Sequence, residues 1–149
     1  MNYIEEFDKL KTKVLKYILF KKRTESEIRQ KFISEQGELL EDVIDELKEN
    51  NYIDDESYIK RAISEYMNLR NLSIKEIEYK LISKGIKKDL IDNYIYNNKE
   101  TLLEYEIKSA RNIIIKKMNT QEKEEILNGL RKKRYKEDSL KIAIQEIEE

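Results

Sequence analysis

Residues 24–32 read TESEIRQKF, and the same pattern returns at residues 73–81 as SIKEIEYKL. Each segment opens with a hydroxyl side chain, Thr24 or Ser73, and carries a glutamate three positions later. This arrangement is typical of a capping box, in which the hydroxyl oxygen accepts a bond from a free backbone N–H group and the glutamate bonds back to the first residue. We therefore predict that one helix begins directly after Thr24 and another directly after Ser73.

The interval between these two helix starts recurs elsewhere in the chain. Thr24 and Ser73 are 49 residues apart, and apolar side chains repeat at the same interval. The repeated columns are Ile28, Ile77 and Ile126; Phe32, Leu81 and Leu130; Ile86 and Tyr135; and Ile95 and Ile144. The simplest interpretation is three tandem three-helix repeats at residues 1–52, 53–98 and 99–149, with an irregular helical bundle as the alternative. Such units stack on their neighbours, so we expect an elongated molecule.

Apolar residues follow a helical period almost throughout the chain, and no sustained alternation of period two indicates a strand. The pattern predicts an all-α fold of about nine mostly short helices. One apolar stripe contains Tyr58, Tyr66 and Leu69, and Tyr94 lies on another. We interpret these tyrosines as core residues that keep the hydroxyl group at the edge.

Several residues predict where helices begin and end. Asp54 and Asp55 can cap a helix that starts near residue 56. Gly85 can supply the left-handed residue after a helix, with Ile86 folding back as the accompanying apolar contact. Gly129 lies inside a predicted helix, where it costs about 1 kcal/mol relative to alanine. Either a neighbouring helix packs closely at Gly129, or that helix is weak.

The composition excludes several classes of active site. Thirty basic and 31 acidic side chains leave a net charge of -1, and the chain has no cysteine and no histidine. Disulfides, thiol nucleophiles, Cys-ligated zinc and Ser-His-Asp triads are therefore ruled out. The three glycines lie too far apart for a phosphate-binding loop. We expect a binding protein that is not an enzyme, with no cofactor and no metal.

The hydropathy of the chain indicates whether the protein is embedded in a membrane or exported. No apolar run approaches the roughly 18–20 residues needed to span a bilayer. The N-terminus also lacks the apolar segment of a signal peptide. We therefore expect a cytoplasmic protein.

Adjacent carboxylates are the feature that keeps an enzyme under consideration. Pairs occur at residues 5–6, 54–55 and 124–125, but neighbours on a helix point about 100° apart. A two-metal nuclease site needs several carboxylates that converge from different elements. The sequence neither shows nor excludes that convergence, so a carboxylate-based, metal-dependent nuclease remains an alternative.

Charge is segregated along the chain in spite of the balanced total. Residues 9–31 are mainly basic, residues 35–56 are mainly acidic, and basic groups return at 108–117 and 131–136. One interpretation is a polar face that presents alternating patches to a charged partner. The other is a solvated surface whose neighbouring patches neutralise each other. The ten tyrosines also allow base stacking, although a dedicated nucleic-acid binder is usually clearly basic.

Three segments, 20–32, 47–58 and 77–86, resemble the RecX family of bacterial recombination regulators in order and spacing. The shared features are a basic-capped second helix, a Tyr-Ile-Asp-Asp junction and a Lys-Gly-Ile helix end. The chain departs from the family pattern at 71–72, where Asn-Leu replaces a glycine. It departs again at 134–135, where Arg-Tyr replaces Gly-Phe.

The resemblance implies three tandem three-helix repeats in an elongated, curved arrangement. It also implies binding to the RecA recombinase and to its filament on single-stranded DNA. The expected consequence is modulation, mostly inhibition, of recombinase, ATPase and SOS co-protease activity. No catalytic activity or cofactor is attributed to the family, and we expect a monomer. The contact residues that we predict are Lys21, Lys22, Arg23, Arg29, Arg61, Arg70, Lys84, Lys132, Lys133 and Arg134. A small helical nucleic-acid-binding protein without a RecA partner remains the alternative function.

Overall fold

Nine α-helices make up most of residues 2–149, the part of the chain that the computed structural model describes, and no strand occurs there. The predicted all-α fold is therefore confirmed. None of the helices in this range is long and apolar enough to cross a membrane. The helices are α1 (Tyr3–Phe20), α2 (Glu25–Lys31), α3 (Glu38–Glu49), α4 (Asp55–Leu69), α5 (Ile74–Ser83), α6 (Lys88–Asn97), α7 (Lys99–Lys117), α8 (Lys123–Lys132) and α9 (Glu137–Glu148), with a 3₁₀ turn at Ile33–Glu35.

The middle helix of each group of three begins at the same point of the 49-residue period. Helix α2 begins at Glu25, α5 at Ile74 and α8 at Lys123. Both predicted capping boxes are formed, because the hydroxyl groups of Thr24 and Ser73 each accept a backbone N–H bond and each glutamate bonds back to the cap residue. Helix α8 has no side-chain cap. The repeat seen in the sequence is therefore a repeat of three-helix units.

Three separate apolar clusters form the core, one for each set of three consecutive helices. Val14 is fully buried in the first cluster and Leu81 in the second, and Leu130 is 2% exposed in the third. Burying a side chain of this size contributes roughly 1.5–3 kcal/mol. Leu102 and Tyr105 of α7 join the second cluster, so the third unit packs its first helix against the second unit.

One apolar stripe differs from its prediction at a single position. Tyr58, Tyr66 and Tyr94 are partly buried against the second cluster, as expected. Leu69, which was assigned to the same stripe as Tyr58, is instead 61% exposed. Helix α4 ends at Leu69, and the chain then turns at Arg70 with a φ of 54°. The last side chain of α4 therefore lies beyond the part of the helix that packs on the core.

The turn predicted at Gly85 is present. Gly85 has a φ of 81°, its N–H donates to the carbonyl oxygen of Ile82 over 2.9 Å, and Ile86 is buried. Arg134 occupies the equivalent position after α8 with a φ of 71°, and the buried residue that follows it is Tyr135. A left-handed conformation costs a residue with a Cβ atom roughly 1–2 kcal/mol.

Two other predictions concern helix stability. Asp54 caps α4 by accepting a hydrogen bond from the Ser57 N–H over 3.2 Å. Gly129 lies within α8. Apart from its chain neighbours and the backbone of its own helix, no heavy atom of the described residues lies within 4 Å of the position that its Cβ would take. Close packing therefore does not explain Gly129, and α8 is a helix weakened by its glycine.

The units are arranged in series. The strongest helix contacts join helices of the same unit, apart from the contact between the consecutive helices α6 and α7. The accessible surface is 9962 Å². A compact monomer of 18.1 kDa would expose about 8,100 Å². The excess surface agrees with the predicted elongated arrangement of tandem repeats.

Candidate partner-binding surface

The units meet at two equivalent junctions, each held by a buried hydroxyl group. Thr24 Oγ1 donates to the carbonyl oxygen of Lys84 over 2.7 Å, and Ser73 Oγ donates to that of Lys133 over 2.5 Å. We call the contact between α2 and the end of α5 the first junction, and that between α5 and the end of α8 the second junction. The period that separates the two caps therefore also separates Lys84 from Lys133.

A carboxylate from the following unit completes each junction. The Glu25 N–H donates to Asp55 Oδ1 over 3.0 Å, and the Ile74 N–H donates to Glu106 Oε2 over 2.8 Å. Both amides lie in the first turn of a helix, where negative charge is favoured. Burial raises the pKa of Asp55 despite its hydrogen bond. Of the acidic pair at 54–55, the first residue is thus the helix cap and the second is a junction acceptor.

Glu106 links three helices at the second junction. Its Oε2 atom accepts the bond from α5, and its Oε1 atom accepts from the Lys136 N–H over 2.9 Å and from Ser139 Oγ over 2.8 Å. The side chain is fully buried. A buried carboxylate is tolerated when donors satisfy its oxygens, and here three donors do so. Glu106 is therefore a structural residue of the junction.

Four of the predicted contact residues surround a groove at the first junction. This groove has a volume of about 220 Å³ and is also bordered by Tyr58, Glu65 and Tyr66. We call it the basic groove, and its cations are Lys21, Lys22, Arg61 and Lys84. It lies between the end of α1, one face of α4 and the end of α5. The fold therefore brings together cations that are far apart in the sequence.

Two cations of the basic groove pair with carboxylates of the described residues, and both pairs are long. Arg61 lies 3.4 Å from Glu65, and Lys84 Nζ lies 3.8 Å from Glu27. An exposed pair such as Arg61–Glu65 contributes about 0–1 kcal/mol, and the half-buried Lys84–Glu27 pair is too widely separated for a hydrogen bond. A carboxylate or phosphate of a partner can therefore replace either contact. Burial raises the pKa of Tyr58 to about 12, which leaves its hydroxyl group protonated near neutral pH. The groove thus offers hydrogen-bond donors to an anionic group.

Two predicted contact residues are engaged within the first unit. The Arg23 guanidinium lies 4.1 Å from the centre of the Tyr17 ring, a cation–π arrangement. Arg29 bonds to Glu25 over 2.9 Å and to both carboxylate oxygens of Glu41. The bonds to Glu41 raise the pKa of Arg29 above its ordinary value. Arg29 therefore connects α2 to α3, away from the basic groove.

The remaining predicted residues lie in or next to the second junction, and their side chains are exposed. They are Arg70, Lys132, Lys133 and Arg134. Lys133 Nζ donates to the carbonyl oxygen of Asn71 over 3.2 Å, which places the end of α8 against the end of α4. Lys21 and Arg70 are one period apart, as are Lys84 and Lys133. Cations therefore recur at equivalent points of the two junctions.

The sequence analysis missed the position of two tyrosines in this surface. A helical period indicates only that Tyr58 and Tyr66 face the interior, and the structure places each of them also at the edge of the basic groove. The available signal was the spacing of Tyr58, Arg61 and Glu65, because residues three and four apart share one face of a helix. Glu106 was missed as well, since no motif marks it.

The acidic pairs bear on the nuclease alternative. In residues 2–149, no group of three or more acidic side chains is arranged to hold a metal ion. Asp54 and Asp55, one of the pairs considered for such a site, instead bond to backbone N–H groups of α4 and α2.

Sequence comparison finds relatives along nearly the whole chain. "Regulatory protein RecX" of Lactococcus lactis subsp. lactis is 30% identical over 154 aligned residues, which cover 97% of this chain and 57% of that protein. "Regulatory protein RecX" of Finegoldia magna is 37% identical over 83 residues, or 54% of this chain and 40% of that protein. The chain thus spans about half the length of these relatives. No family model matches.

Two crystal structures share the fold. "RecX from Lactobacillus salivarius" superimposes with a TM-score of 0.81 and 20% identity, over 97% of this chain and 98% of that one. A structure of "regulatory protein RecX" superimposes with a TM-score of 0.76 and 21% identity, over 96% of this chain and 73% of that one. The arrangement of tandem three-helix units is therefore one that solved proteins adopt.

Proposed function

Because the chain belongs to the RecX family, we propose that it binds the RecA filament on single-stranded DNA and modulates, mostly inhibits, recombinase, ATPase and SOS co-protease activity. The observation that carries this proposal is the relationship to "regulatory protein RecX" along 97% of the chain. The protein acts by binding and not by catalysis, as a monomer in the cytoplasm.

The repeat architecture supports a filament as the partner. A filament presents the same protomer surface at regular intervals, and stacked repeats present equivalent surfaces at intervals of one unit. We propose the unit boundaries 1–52, 53–98 and 99–149, with successive units meeting successive parts of the filament.

The charge distribution supports a protein filament over bare DNA. The net charge of -1 gives the chain no general attraction to phosphate. Cations from different helices meet at each of the two junctions, while residues 35–56 are mainly acidic. A surface of mixed sign matches a partner that also carries both signs. The basic groove and the cations of the second junction are the proposed contact points.

The test is the DNA-dependent ATPase of the cognate RecA on single-stranded DNA, with this protein added after the filaments form. We expect a loss of activity at substoichiometric ratios, as for a protein that caps or disassembles filaments. Unchanged activity together with no co-sedimentation would contradict the proposal.

A charge-reversal variant tests the contact surface in the same assay. Lys21→Glu combined with Lys22→Glu should weaken filament binding by about 10-fold or more, with the fold retained; Arg23 is left unchanged because it stacks on Tyr17. A matched control reverses Lys108 and Lys141, which are exposed and lie outside the basic groove. Equal binding by the wild type and the first variant at physiological salt would remove this patch from the contact surface.

The second candidate function is nucleic-acid binding without a RecA partner. The observation that favours it is the pairing of Tyr58 and Tyr66 with cations in one groove, since aromatic rings and cations together bind single strands. Titration with single-stranded DNA alone separates the two functions. Tight binding with a steep salt dependence would favour this second function.

A further inference from the structure

The first helix of each unit ends in an apolar side chain that is left in solvent. Phe20 is 86% exposed, Leu69 is 61% exposed and Met118 is 50% exposed. These residues are spaced 49 positions apart, at the last residue of α1, the last residue of α4 and the residue that follows α7. We call them the apolar ladder. Single exposed apolar residues are ordinary, but three at one position of a repeat indicate a shared role.

The surroundings of the ladder repeat as well. Tyr17 lies three residues before Phe20, and Tyr66 lies three residues before Leu69, so each tyrosine shares a helix face with its ladder residue. Lys31 Nζ lies 5.7 Å from the centre of the Tyr17 ring, and its counterpart one period later, Lys80 Nζ, lies 5.9 Å from the Tyr66 ring. The first two units therefore share this tyrosine and lysine beside the ladder residue.

The third unit keeps the apolar part of this surface and loses the charged part. Ile115 stands where the first two units have tyrosine, and it is 49% exposed beside Met118. Gly129 stands where they have the lysine. Gly129 is the glycine inside α8 whose Cβ would meet open space. The surface around Met118 is therefore more apolar than the surfaces around Phe20 and Leu69.

A cation lies next to each ladder residue in the sequence. Lys21 follows Phe20, Arg70 follows Leu69, and Lys117 precedes Met118. All three cations are exposed. A partner that accepts an apolar side chain beside a positive charge needs an apolar pocket with carboxylates at its rim.

We propose that Phe20, Leu69 and Met118 are three equivalent anchors that enter acid-rimmed apolar pockets repeated along a protein filament. The identity of that filament as RecA rests on the proposed function above. The spacing by one unit is what selects a partner that repeats: a single globular protein would present such a pocket once. Because the three anchors lie on one chain, their contributions to affinity multiply.

The experiment measures binding of the full chain to preformed RecA filaments on single-stranded DNA at about 0.15 M salt. The variants are Phe20→Ser, Leu69→Ser, Met118→Ser and the triple substitution. Removing one apolar anchor at an interface should weaken binding about 5- to 20-fold, and the triple variant should bind at least about 100-fold more weakly than the wild type. Controls are Ile4→Ser and Tyr96→Ser, which remove side chains of 70% and 69% exposure outside the ladder and should bind like the wild type.

The outcomes separate this inference from the function on which it rests. If the wild type binds filaments and the triple variant binds equally well, the ladder is not the anchor, although the proposed function stands. If the wild type does not bind filaments, both this inference and the proposed function are wrong. Light scattering of the free protein tests whether it self-associates. A dimer that the triple substitution dissociates, with filament binding unchanged, would make the ladder an interface between copies of this chain and overturn the proposal.

Discussion

Gly85, at the end of α5, lies directly against Ser26 in the first turn of α2. A Cβ atom on Gly85 would fall 2.1 Å from Ser26 Oγ and 2.3 Å from Ser26 Cβ, far inside contact distance. Arg134 takes the same left-handed conformation at the second junction. The turn alone therefore tolerates a side chain, and it is the space beside Ser26 that requires glycine at the first junction.

Replacing Gly85 by alanine should destabilise the protein by about 2–4 kcal/mol, because overlap with α2 adds to the cost of a left-handed alanine. Urea unfolding monitored by circular dichroism measures this loss. Gly129→Ala is the matched control, since its Cβ would meet open space within a helix. It should stabilise the protein by about 0.5–1 kcal/mol.

A double variant separates the two costs at Gly85. Ser26→Gly removes the overlapping atoms, so in that background Gly85→Ala should cost only the conformational part, about 1–2 kcal/mol. An equal cost in both backgrounds would show that the close approach to Ser26 does not matter.

Ser73→Ala should destabilise the protein by about 2 kcal/mol, because it removes both the cap of α5 and the bond to the carbonyl group of Lys133. Thermal unfolding measures the effect. Ser64→Ala, at an exposed position of α4, should change the stability by less than about 0.5 kcal/mol. A similar loss in both variants would contradict a special role for the junction hydroxyl group.

The neighbours Asp54 and Asp55 should respond to pH in opposite directions. The hydrogen bonds from Ser57 lower the pKa of Asp54, so its contribution to stability is present above the unfolded pKa and is lost as the pH falls through the folded pKa. Burial raises the pKa of Asp55, so its ionised form disfavours the fold as the pH rises through that folded pKa.

Urea unfolding from about pH 3 to 7 tests this pair. The stability of Asp54→Asn relative to the wild type should decrease as the pH rises, and that of Asp55→Asn should increase. Asparagine retains one side-chain oxygen that can accept the backbone bond at either position. Because Asp54 Oδ2 also accepts from Ser57 Oγ over 2.8 Å, the change of relative stability with pH, and not its absolute value, reports the charge. Slopes of the same sign for the two variants would contradict the assignment.

The serial arrangement predicts a large radius of gyration. A compact monomer of 149 residues would have a value near 15 Å. Small-angle X-ray scattering of the monomer should give a clearly higher value, with a distance distribution skewed to long distances. A value near 15 Å would mean that the units fold back on one another in solution.

The parts of the fold that sequence reasoning predicted are those set by local chemistry. Thr24 and Ser73 carry their capping boxes within four residues of sequence, and Gly85 marks its own turn. The junctions could not be predicted in this way. The bond from Thr24 reaches a carbonyl group 60 residues away, and no local pattern encodes which helix end will arrive there.

In the candidate site, too, local chemistry could be predicted from the sequence and packing between helices could not. The predicted cations are at the surface, but whether a cation is available depends on packing between helices. Arg29 is held by Glu41 of the next helix, whereas Lys21 and Lys22 border a groove. Exposure of Leu69 was missed because helical period does not say where the neighbouring helices stop.

The hydroxyl groups of Thr24 and Ser73 bond across the junctions to main-chain oxygens, those of Lys84 and Lys133. These two bonds between units therefore involve no atom of the two lysine side chains. Mutations can therefore change those side chains, to match changes in the surface of a partner, and leave both of these bonds in place. Such a protein can acquire surface substitutions one at a time, as its partner's surface changes, while the spacing between its units stays the same.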